Sequence, residues 1–198
     1  LVAVEVQKYD PEVILEALNN CIAHQQYSYN SRIILTEQTG KLIFSNAGNF
    51  FEGSAEDYTT GNKTPQRYRN RWLADAMVTL KMIDSMGYGI HKMYKSQMQR
   101  FFPLPDYSKS TMDEVVLEIY GHAIDENYSK LLIEKKGDID LTDAVLLDKV
   151  QKSLPINDEA ARRLKQKGFI EGRKPNYFIS SQIARITDKK AQYTRNKG

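Results

Sequence analysis

A two-faced helix near the N-terminus is the feature that most constrains the fold of this chain. Asp10-Pro11 predicts its start, because Asp caps helix N-termini and Pro suits the first turn. Apolar residues then recur at helical spacing, which predicts a stripe that must pack on another element. The stripe consists of Val13, Ile14, Ala17, Leu18, Cys21 and Ile22. Cys21, the single cysteine, is therefore predicted to be a buried, small apolar residue.

Glu16 and Asn20 lie four residues apart in this helix and so share one face, with His24 one turn further. A glutamate can orient or deprotonate a water molecule. A carboxamide oxygen is a ligand suited to Mg²⁺ beside phosphates. The alternative is a solvated polar face, because Glu is a common helix former. The spacing is compatible with both interpretations.

Two predicted strands follow this helix. Residues 32–37 and 41–45 are rich in apolar residues and flank Gln38-Thr-Gly40, which is a hairpin signal. Residues 46–69 are rich in Gly, Asn, Thr and charge, which predicts a long loop with one short helical piece near 55–58.

Helical periodicity returns after the loop and predicts helices over 70–84 and 90–101, followed by a strand over 115–120. In the first of these helices Leu73, Ala76, Met77 and Leu80 are predicted to face inward. Trp72 is interpreted as a core residue. Antiparallel strands mixed with helices predict an α+β fold, in which a two-layer α/β sandwich has its helices on one face of the sheet.

The last third of the chain has a different pattern. Three short helices are predicted over 126–134, 141–151 and 157–167, followed by a hairpin over 169–179 around a Gly-Arg-Lys-Pro-Asn turn. Three helices and a basic hairpin are typical of a small winged-helix domain. We therefore predict three parts: a first domain over 1–122, a winged helix over 123–181, and a flexible basic tail over 182–198.

Charge is distributed unevenly along the chain. Residues 151–198 carry twelve Lys/Arg and four acidic residues, a net +8, so the preceding residues carry −5 of the total of +3. A basic end on an acidic body favours duplex DNA as a partner. The predicted DNA-binding residues of the third helix and the wing are Arg162, Arg163, Lys165, Lys167, Arg173 and Lys174. The alternatives are a solvated tail and a winged helix used only for packing or dimerisation.

Several classes of protein are disfavoured by the composition. No run of eighteen apolar residues is present, so no membrane partner is expected, and no signal-peptide pattern is found. One cysteine indicates a reducing, cytoplasmic location. The three histidines lack zinc-ligand spacing. The opening Leu-Val-Ala-Val-Glu-Val resembles a strand in mid-course, so we expect a longer protein whose N-terminal domain is a partner of this chain.

Four motifs carry a resemblance to a known family: EALNNCIAH (16–24), LIFSNAG (42–48), RYRNRWLADAM (67–77) and MGYGIHKM (86–93). Their order resembles the GHKL-type ATPase fold shared by gyrase B, MutL, the heat-shock chaperones and histidine kinases. More closely, the chain resembles the RecG-related C-terminal family of bacterial transcriptional regulators, over roughly residues 8–122.

The resemblance implies a role for each motif. Glu16 takes the place of the water-activating glutamate, and Asn20 that of the Mg²⁺ ligand. His24 would line the pocket. Asn46 and Gly48 match the first glycine motif and Gly87-Tyr-Gly89 the second, where backbone N–H groups approach phosphate.

The implied cofactors are ATP and Mg²⁺. The family pattern for the first glycine motif is Asp-x-Gly-x-Gly, whereas this chain has Asn46-Ala-Gly48-Asn. An asparagine accepts a hydrogen bond without bringing negative charge. The departure predicts weak ATP binding and very slow hydrolysis, so no efficient enzyme is expected.

Together these expectations describe a fragment of a DNA-binding transcriptional regulator with a degenerate nucleotide-binding module. One alternative is an active Mg²⁺-dependent ATPase coupled to DNA. Another, from a different class, is a non-catalytic structural module that forms a homodimer.

Overall fold

The computed structural model describes residues 7–84 and 86–181. Contacts between Cα atoms divide the chain between His122 and Ala123 into two compact units. The described residues form seven α-helices and two small antiparallel sheets, a mixed α+β fold. None of the described helices is long and apolar enough to cross a membrane. The predicted N-terminal strand and basic tail fall on residues 1–6 and 182–198, outside the described residues.

The first unit contains one sheet and four helices. Its elements are α1 (Pro11–His24), β1 (Ile34–Gln38), β2 (Lys41–Ala47), α2 (Ala55–Thr59), α3 (Arg71–Thr79), α4 (Gly89–Gln99) and β3 (Glu114–Tyr120). The sheet order is β1-β2-β3, with both pairs antiparallel. Gln38 pairs with Lys41, so the hairpin turn consists of Thr39 and Gly40. Gly40 has φ +83°, a conformation that glycine adopts without strain.

The packing of α1 on the sheet builds the core of this unit. Asp10 caps the helix by accepting from the Glu12 amide at 2.9 Å. Side chains on β2 alternate between buried and partly exposed, as a strand with one covered face requires. The buried cluster comprises Val13, Ala17, Cys21, Leu42, Phe44, Met93, Leu117 and Ile119. Cys21 is only 4% exposed, so its prediction as a buried, small apolar residue is confirmed, and burial raises its pKa to about 12.

Helix α3 differs from its prediction in length and in orientation. It ends at Thr79 instead of Asp84, and the chain turns at Lys81 with φ +57°. Its buried residues are Ala74 and Met77. Ala76 and Leu80 were predicted to face inward, and this is wrong, because both are exposed and Leu80 is 70% exposed.

Trp72 was likewise wrongly interpreted as core, since it is 90% exposed. The segment after α3 is held by a polar contact instead of an apolar one. The Asn19 amide of α1 donates to the Met82 carbonyl at 2.7 Å. A hydrogen bond beyond the end of a short helix helps to fix how that helix is oriented. The side chains that the helix buries can then differ from those that helical periodicity alone predicts.

The second unit consists of three helices and a hairpin. Its elements are α5 (Glu126–Glu134), α6 (Leu141–Gln151), α7 (Asp158–Gln166), β4 (Ile170–Arg173) and β5 (Asn176–Ile179). Side-chain caps start all three helices, at Asp125, Asp140 and Asn157. Its largest fully buried side chains are Tyr128, Leu131, Leu147, Leu164 and Ile179.

The covered face of β2 should carry much of the stability of the first unit. Phe44 and Leu35 are cross-strand partners, but Phe44 is fully buried and Leu35 is about half exposed. We expect Phe44→Ala to cost about 3–5 kcal/mol of unfolding free energy. Leu35→Ala should cost about 1 kcal/mol or less. Urea unfolding followed by circular dichroism checks both, and equal costs would contradict the assigned core.

Candidate functional site

A cleft in the first unit lies between α1, the end of β2, the loop before α3 and the α3–α4 connection. About 990 Å³ of space that atoms do not fill lies within it, a volume that includes the solvent-filled mouth. Six residues predicted from the sequence line it: Glu16, Asn20, His24, Asn46, Gly87 and Gly89. The structure therefore brings together residues from three separate motifs.

Glu16 and Asn20 form a hydrogen-bonded pair on the cleft side of α1. The Asn20 amide nitrogen donates to Glu16 Oε1 at 3.2 Å. Burial raises the pKa of Glu16 above its ordinary value, and the nearby Asp84 carboxylate adds to the rise, whereas Lys92 opposes it. A Cβ atom at Gly89 would collide with the Glu16 carboxylate. Glycine at this position thus lets the backbone of α4 approach the glutamate.

Asn46 lines the cleft from the end of β2. β2 extends to Ala47, so Asn46 belongs to the strand instead of the predicted loop and follows Leu42 and Phe44 on the covered face. The Asn46 side-chain nitrogen donates to the Ala47 carbonyl at 3.2 Å. No hydrogen bond from another described residue reaches its Oδ1, although Asn46 is only 4% exposed. An acceptor in the wall of a cleft is a candidate partner for a ligand amino group.

Gly48 was predicted to bind the same ligand, but it is not among the residues that line the cleft. Its amide donates to the Asp113 carbonyl at 2.8 Å, which joins the end of β2 to the chain just before β3.

A set of hydrogen bonds holds the end of α1 against the end of β2. The Gln25 side chain accepts from the Ala47 amide at 2.9 Å and donates to the Ser31 carbonyl at 2.9 Å. The Asn70 amide donates to the Ala23 and Gln25 carbonyls, at 3.0 and 2.8 Å. These bonds satisfy carbonyls at the helix end and fix α1 relative to Asn46. Asn70 also stands at the N-cap position of α3.

Aromatic side chains form much of the remaining wall. They are Phe50, Phe51, Tyr58, Tyr68 and Tyr107. The Phe50 and Tyr107 rings meet edge to face with centroids 5.4 Å apart, and the Arg69 guanidinium lies 5.1 Å from the Phe51 centroid. Burial raises the pKa of Tyr107 well above its ordinary value, so its hydroxyl remains neutral. Sequence reasoning missed these residues, because four of them come from loops without periodicity and Tyr58 comes from the short helix α2.

Asp84 is a further cleft residue that the sequence analysis missed. Its Oδ1 accepts from the Met86 and Tyr88 amides at 3.0 and 3.2 Å, and its Oδ2 pairs with Lys92 Nζ at 2.6 Å. Burial opposes ionisation, but the Lys92 and backbone hydrogen bonds outweigh it and hold the pKa of Asp84 below its ordinary value. An Asp shortly before Gly87 is a common turn signal that could have indicated this contact.

The two ends of the cleft fit ATP unequally. The free acceptor of Asn46 and the aromatic walls suit an adenine-type ring. The phosphate end does not fit, because Asp84 already occupies the amides of Met86 and Tyr88 beside Gly87. No group of three potential metal-ligating side chains from His, Cys, Asp and Glu occurs among the described residues. We therefore assign no catalytic step to a triphosphate or a metal.

The predicted DNA-binding cations of the second unit fall into two groups. Arg163 and Lys167 both bind Asp143, a fully buried carboxylate, at 2.7 and 2.5 Å. Arg163 also pairs with Asp140 at 3.1 Å. These two cations compensate acidic residues within the unit, and Asp143 would be left buried and unpaired without them.

Lys174 at the hairpin turn also has an acidic partner, Asp158, at 2.9 Å. Arg162, Lys165 and Arg173 are exposed and make no ion pair with another described residue. Lys165 bonds the Gly172 carbonyl at 2.7 Å. These three residues carry the uncompensated positive charge of α7 and the hairpin.

Comparisons with known proteins agree with the first unit's resemblance. A family model described as "Putative ATP-dependent DNA helicase recG C-terminal" matches residues 30–119, which is less than half of the 198-residue chain. The match includes Asn46 and the Gly87-Tyr-Gly89 turn but begins after α1. No curated protein matches the chain.

Among solved structures, the DIP2311 protein from Corynebacterium diphtheriae resembles the chain with a TM-score of 0.53 and 16% sequence identity. The alignment covers 90% of this chain and 42% of that protein, so the chain spans less than half of its length. At this identity the likeness concerns the fold alone. Over residues 30–119, then, the chain is similar to the RecG C-terminal family.

His24 provides a test of the cleft's electrostatics. Burial lowers its pKa below the ordinary 6.5, and the positive charge of Arg69 lowers it further. The stability that neutral His24 contributes is fully present above pH 6.5 and is lost as the pH falls through the lowered pKa. His24→Gln should remove this part of the acid-induced loss in unfolding free energy. NMR titration should give a His24 pKa below 6.5, and a higher value would contradict the buried placement.

Proposed function

We propose that this chain is a fragment of a DNA-binding transcriptional regulator whose first unit binds an adenine-type ligand without hydrolysing it efficiently. The observation that carries the proposal is the cleft in which Glu16 and Asn20 of α1 face the same space as Asn46 of β2. The matched family is named for a helicase C-terminus, which supports an association with DNA.

The ligand is inferred from Asn46 and the aromatic residues that line the cleft. Asn46 Oδ1 accepts no hydrogen bond from another described residue, so a ligand amino group could bond to it. Phe50 and Tyr107 supply ring surfaces in the wall of the same cleft. A planar ring with an exocyclic amino group matches both features, and adenine is such a ring.

Slow hydrolysis is expected from the contacts of the glycine turn between α3 and α4. A phosphoryl-transfer site needs donors aimed at the phosphate charge. The glycine turn between α3 and α4 has two of its amides engaged by Asp84. An active Mg²⁺-dependent ATPase is the second candidate, and the Glu16–Asn20 pair is the observation that favours it.

The DNA-binding part of the proposal concerns the second unit, which we interpret as a winged helix. Its three uncompensated cations, Arg162 and Lys165 on α7 and Arg173 on the hairpin, are available for phosphates or base edges. Arg163 and Lys167 serve to neutralise Asp143 and so contribute less to DNA contact.

Removing the Asn46 acceptor should weaken ligand binding. We expect Asn46→Ala to lower the affinity for adenine compounds by about tenfold, the value of one hydrogen bond to a buried group. Isothermal titration with adenosine and with ATP measures this. Asn62→Ala, at an exposed loop position outside the cleft, is the matched control and should leave both affinities unchanged. An unchanged Asn46→Ala affinity would remove adenine recognition from this site.

Hydrolysis separates the two candidates. Phosphate release with Mg²⁺ should be close to background in the unmodified chain and equally low in Glu16→Gln. Robust turnover that Glu16→Gln abolishes would establish the ATPase instead.

Salt dependence tests the DNA surface. Each interaction with a phosphate that a substitution removes should reduce the log–log salt slope of duplex binding by about 0.9. Arg173→Ala should therefore weaken binding to all sequences alike, and Arg162→Ala should also relax any sequence preference. Titration of labelled duplexes with the full chain at several salt concentrations measures both.

Arg163→Ala is the matched control for the DNA titration. It should leave the slope nearly unchanged and reduce stability, because Asp143 then keeps only one of its two cations. Absence of duplex binding at low salt would remove the physical support for a DNA-binding role.

A further inference from the structure

Asp84 occupies the place in the cleft where a phosphate would be expected. Its carboxylate accepts from the Met86 and Tyr88 backbone amides and pairs with the Lys92 ammonium. Two backbone N–H groups beside a glycine turn and one lysine are the donors that proteins commonly offer to phosphate. Here an aspartate of the same chain satisfies all three.

Gly87 keeps this arrangement in place. Its φ is +73°, and a Cβ atom there would collide with the Pro65 ring of the loop opposite. The turn thus approaches the loop closely while its neighbouring amides are directed at Asp84. A phosphate could use these donors only after Asp84 had left them.

A second carboxylate repeats the pattern on the loop side of the cleft. Glu52 Oε2 accepts from the Gln66 and Arg67 amides at 3.0 and 3.1 Å. Glu52 and Arg67 both line the cleft, and the contact between them joins the Glu52 carboxylate to the Arg67 backbone amide. Another pair of adjacent backbone donors is occupied by the protein's own anion.

The charges of the residues that line the cleft also disfavour a phosphate group. Three carboxylates line the cleft, namely Glu16, Glu52 and Asp84, whereas Arg67 is the one Lys or Arg among the lining residues that the structure describes. Lys92 is engaged by Asp84 at 2.6 Å. A polyanion entering this space would face three carboxylates, and Arg67 is the one described lining cation that could offset them.

We propose that the natural ligand of the cleft is a purine-type base or nucleoside without phosphate, and that Asp84 excludes nucleotides by filling the phosphate position. This inference rests on the proposed adenine-type ligand. The ring end binds through Asn46 Oδ1 and the aromatic walls, and the end towards Gly87 accommodates an uncharged group. The first unit would then bind a nucleoside and would not respond to the concentration of ATP.

The size of the preference for adenosine over ATP follows from the hydrogen-bond donors that Asp84 occupies and a phosphate therefore cannot use. Hydrogen bonds to a charged group are worth enough that removing one changes affinity by about tenfold or more. Adenosine should therefore bind the unmodified chain at least about tenfold more tightly than ATP does in the absence of Mg²⁺.

Isothermal titration of the full chain with adenosine, AMP and ATP, in EDTA, tests the order of affinities. The expected order is adenosine first, AMP second and ATP last. ATP binding as tightly as adenosine or more tightly would overturn the exclusion while leaving adenine recognition intact. No binding of any of the three would overturn the adenine-type ligand itself, and this inference with it.

Variants at Asp84 test the cause. Asp84→Ala frees the Met86 and Tyr88 amides and Lys92, so ATP affinity should rise about tenfold while adenosine affinity changes less than about twofold. Asp84→Asn removes the charge but keeps an acceptor for the turn, and should give a smaller rise in the same direction if the alanine variant does not fold. Glu37→Gln, an exposed carboxylate on the edge strand β1, controls for net charge and should change neither affinity. Equal ATP affinity in the folded Asp84 variants and the unmodified chain would overturn the role of Asp84.

Discussion

The packing of α1 on the covered face of β2 is the interaction on which the rest of the first unit depends. Val13, Ala17 and Cys21 bury one stripe of the helix against Phe44 and its neighbours. Because that stripe must face the sheet, Glu16 and Asn20 are left at its margin, where they border a space that the sheet does not fill. The cleft is thus a geometric consequence of how an amphipathic helix covers a strand.

Buried anions in both units are held by donors from the same chain. The Glu118 carboxylate on β3 accepts hydrogen bonds from Lys41, Lys109 and the Tyr120 hydroxyl. Burial opposes ionisation of this carboxyl, but these bonds outweigh the effect of burial and keep the pKa of Glu118 below its ordinary value. Asp143 is held by two cations of α7. Asp84, whose side chain is 26% exposed, is held in the same way, and leaving the two buried carboxylates unpaired would be costly. At Asp84 the structural requirement also determines which ligands the cleft can accept.

Local signals predicted the elements that local chemistry governs. The cap at Asp10, the turn at Gly40 and the three helices of the second unit depend on neighbouring residues, and their positions in the sequence agree with the structure. The exposure of Trp72 could not be predicted, because it depends on tertiary contacts that orient α3. Likewise the lysine and arginine pattern of α7 does not reveal which cations Asp143 engages. The hydrogen-bond partners of Asp84 could not be predicted either, because they depend on how the α3–α4 connection folds.

The most direct test of this account is a crystal structure of the chain with adenosine. The account predicts the purine ring in the cleft of the first unit, with its exocyclic amino group within hydrogen-bonding distance of Asn46 Oδ1. It also predicts that Asp84 remains bonded to the Met86 and Tyr88 amides. Adenosine bound at another surface, or an adenine ring in the cleft that makes no contact with Asn46, would contradict the account.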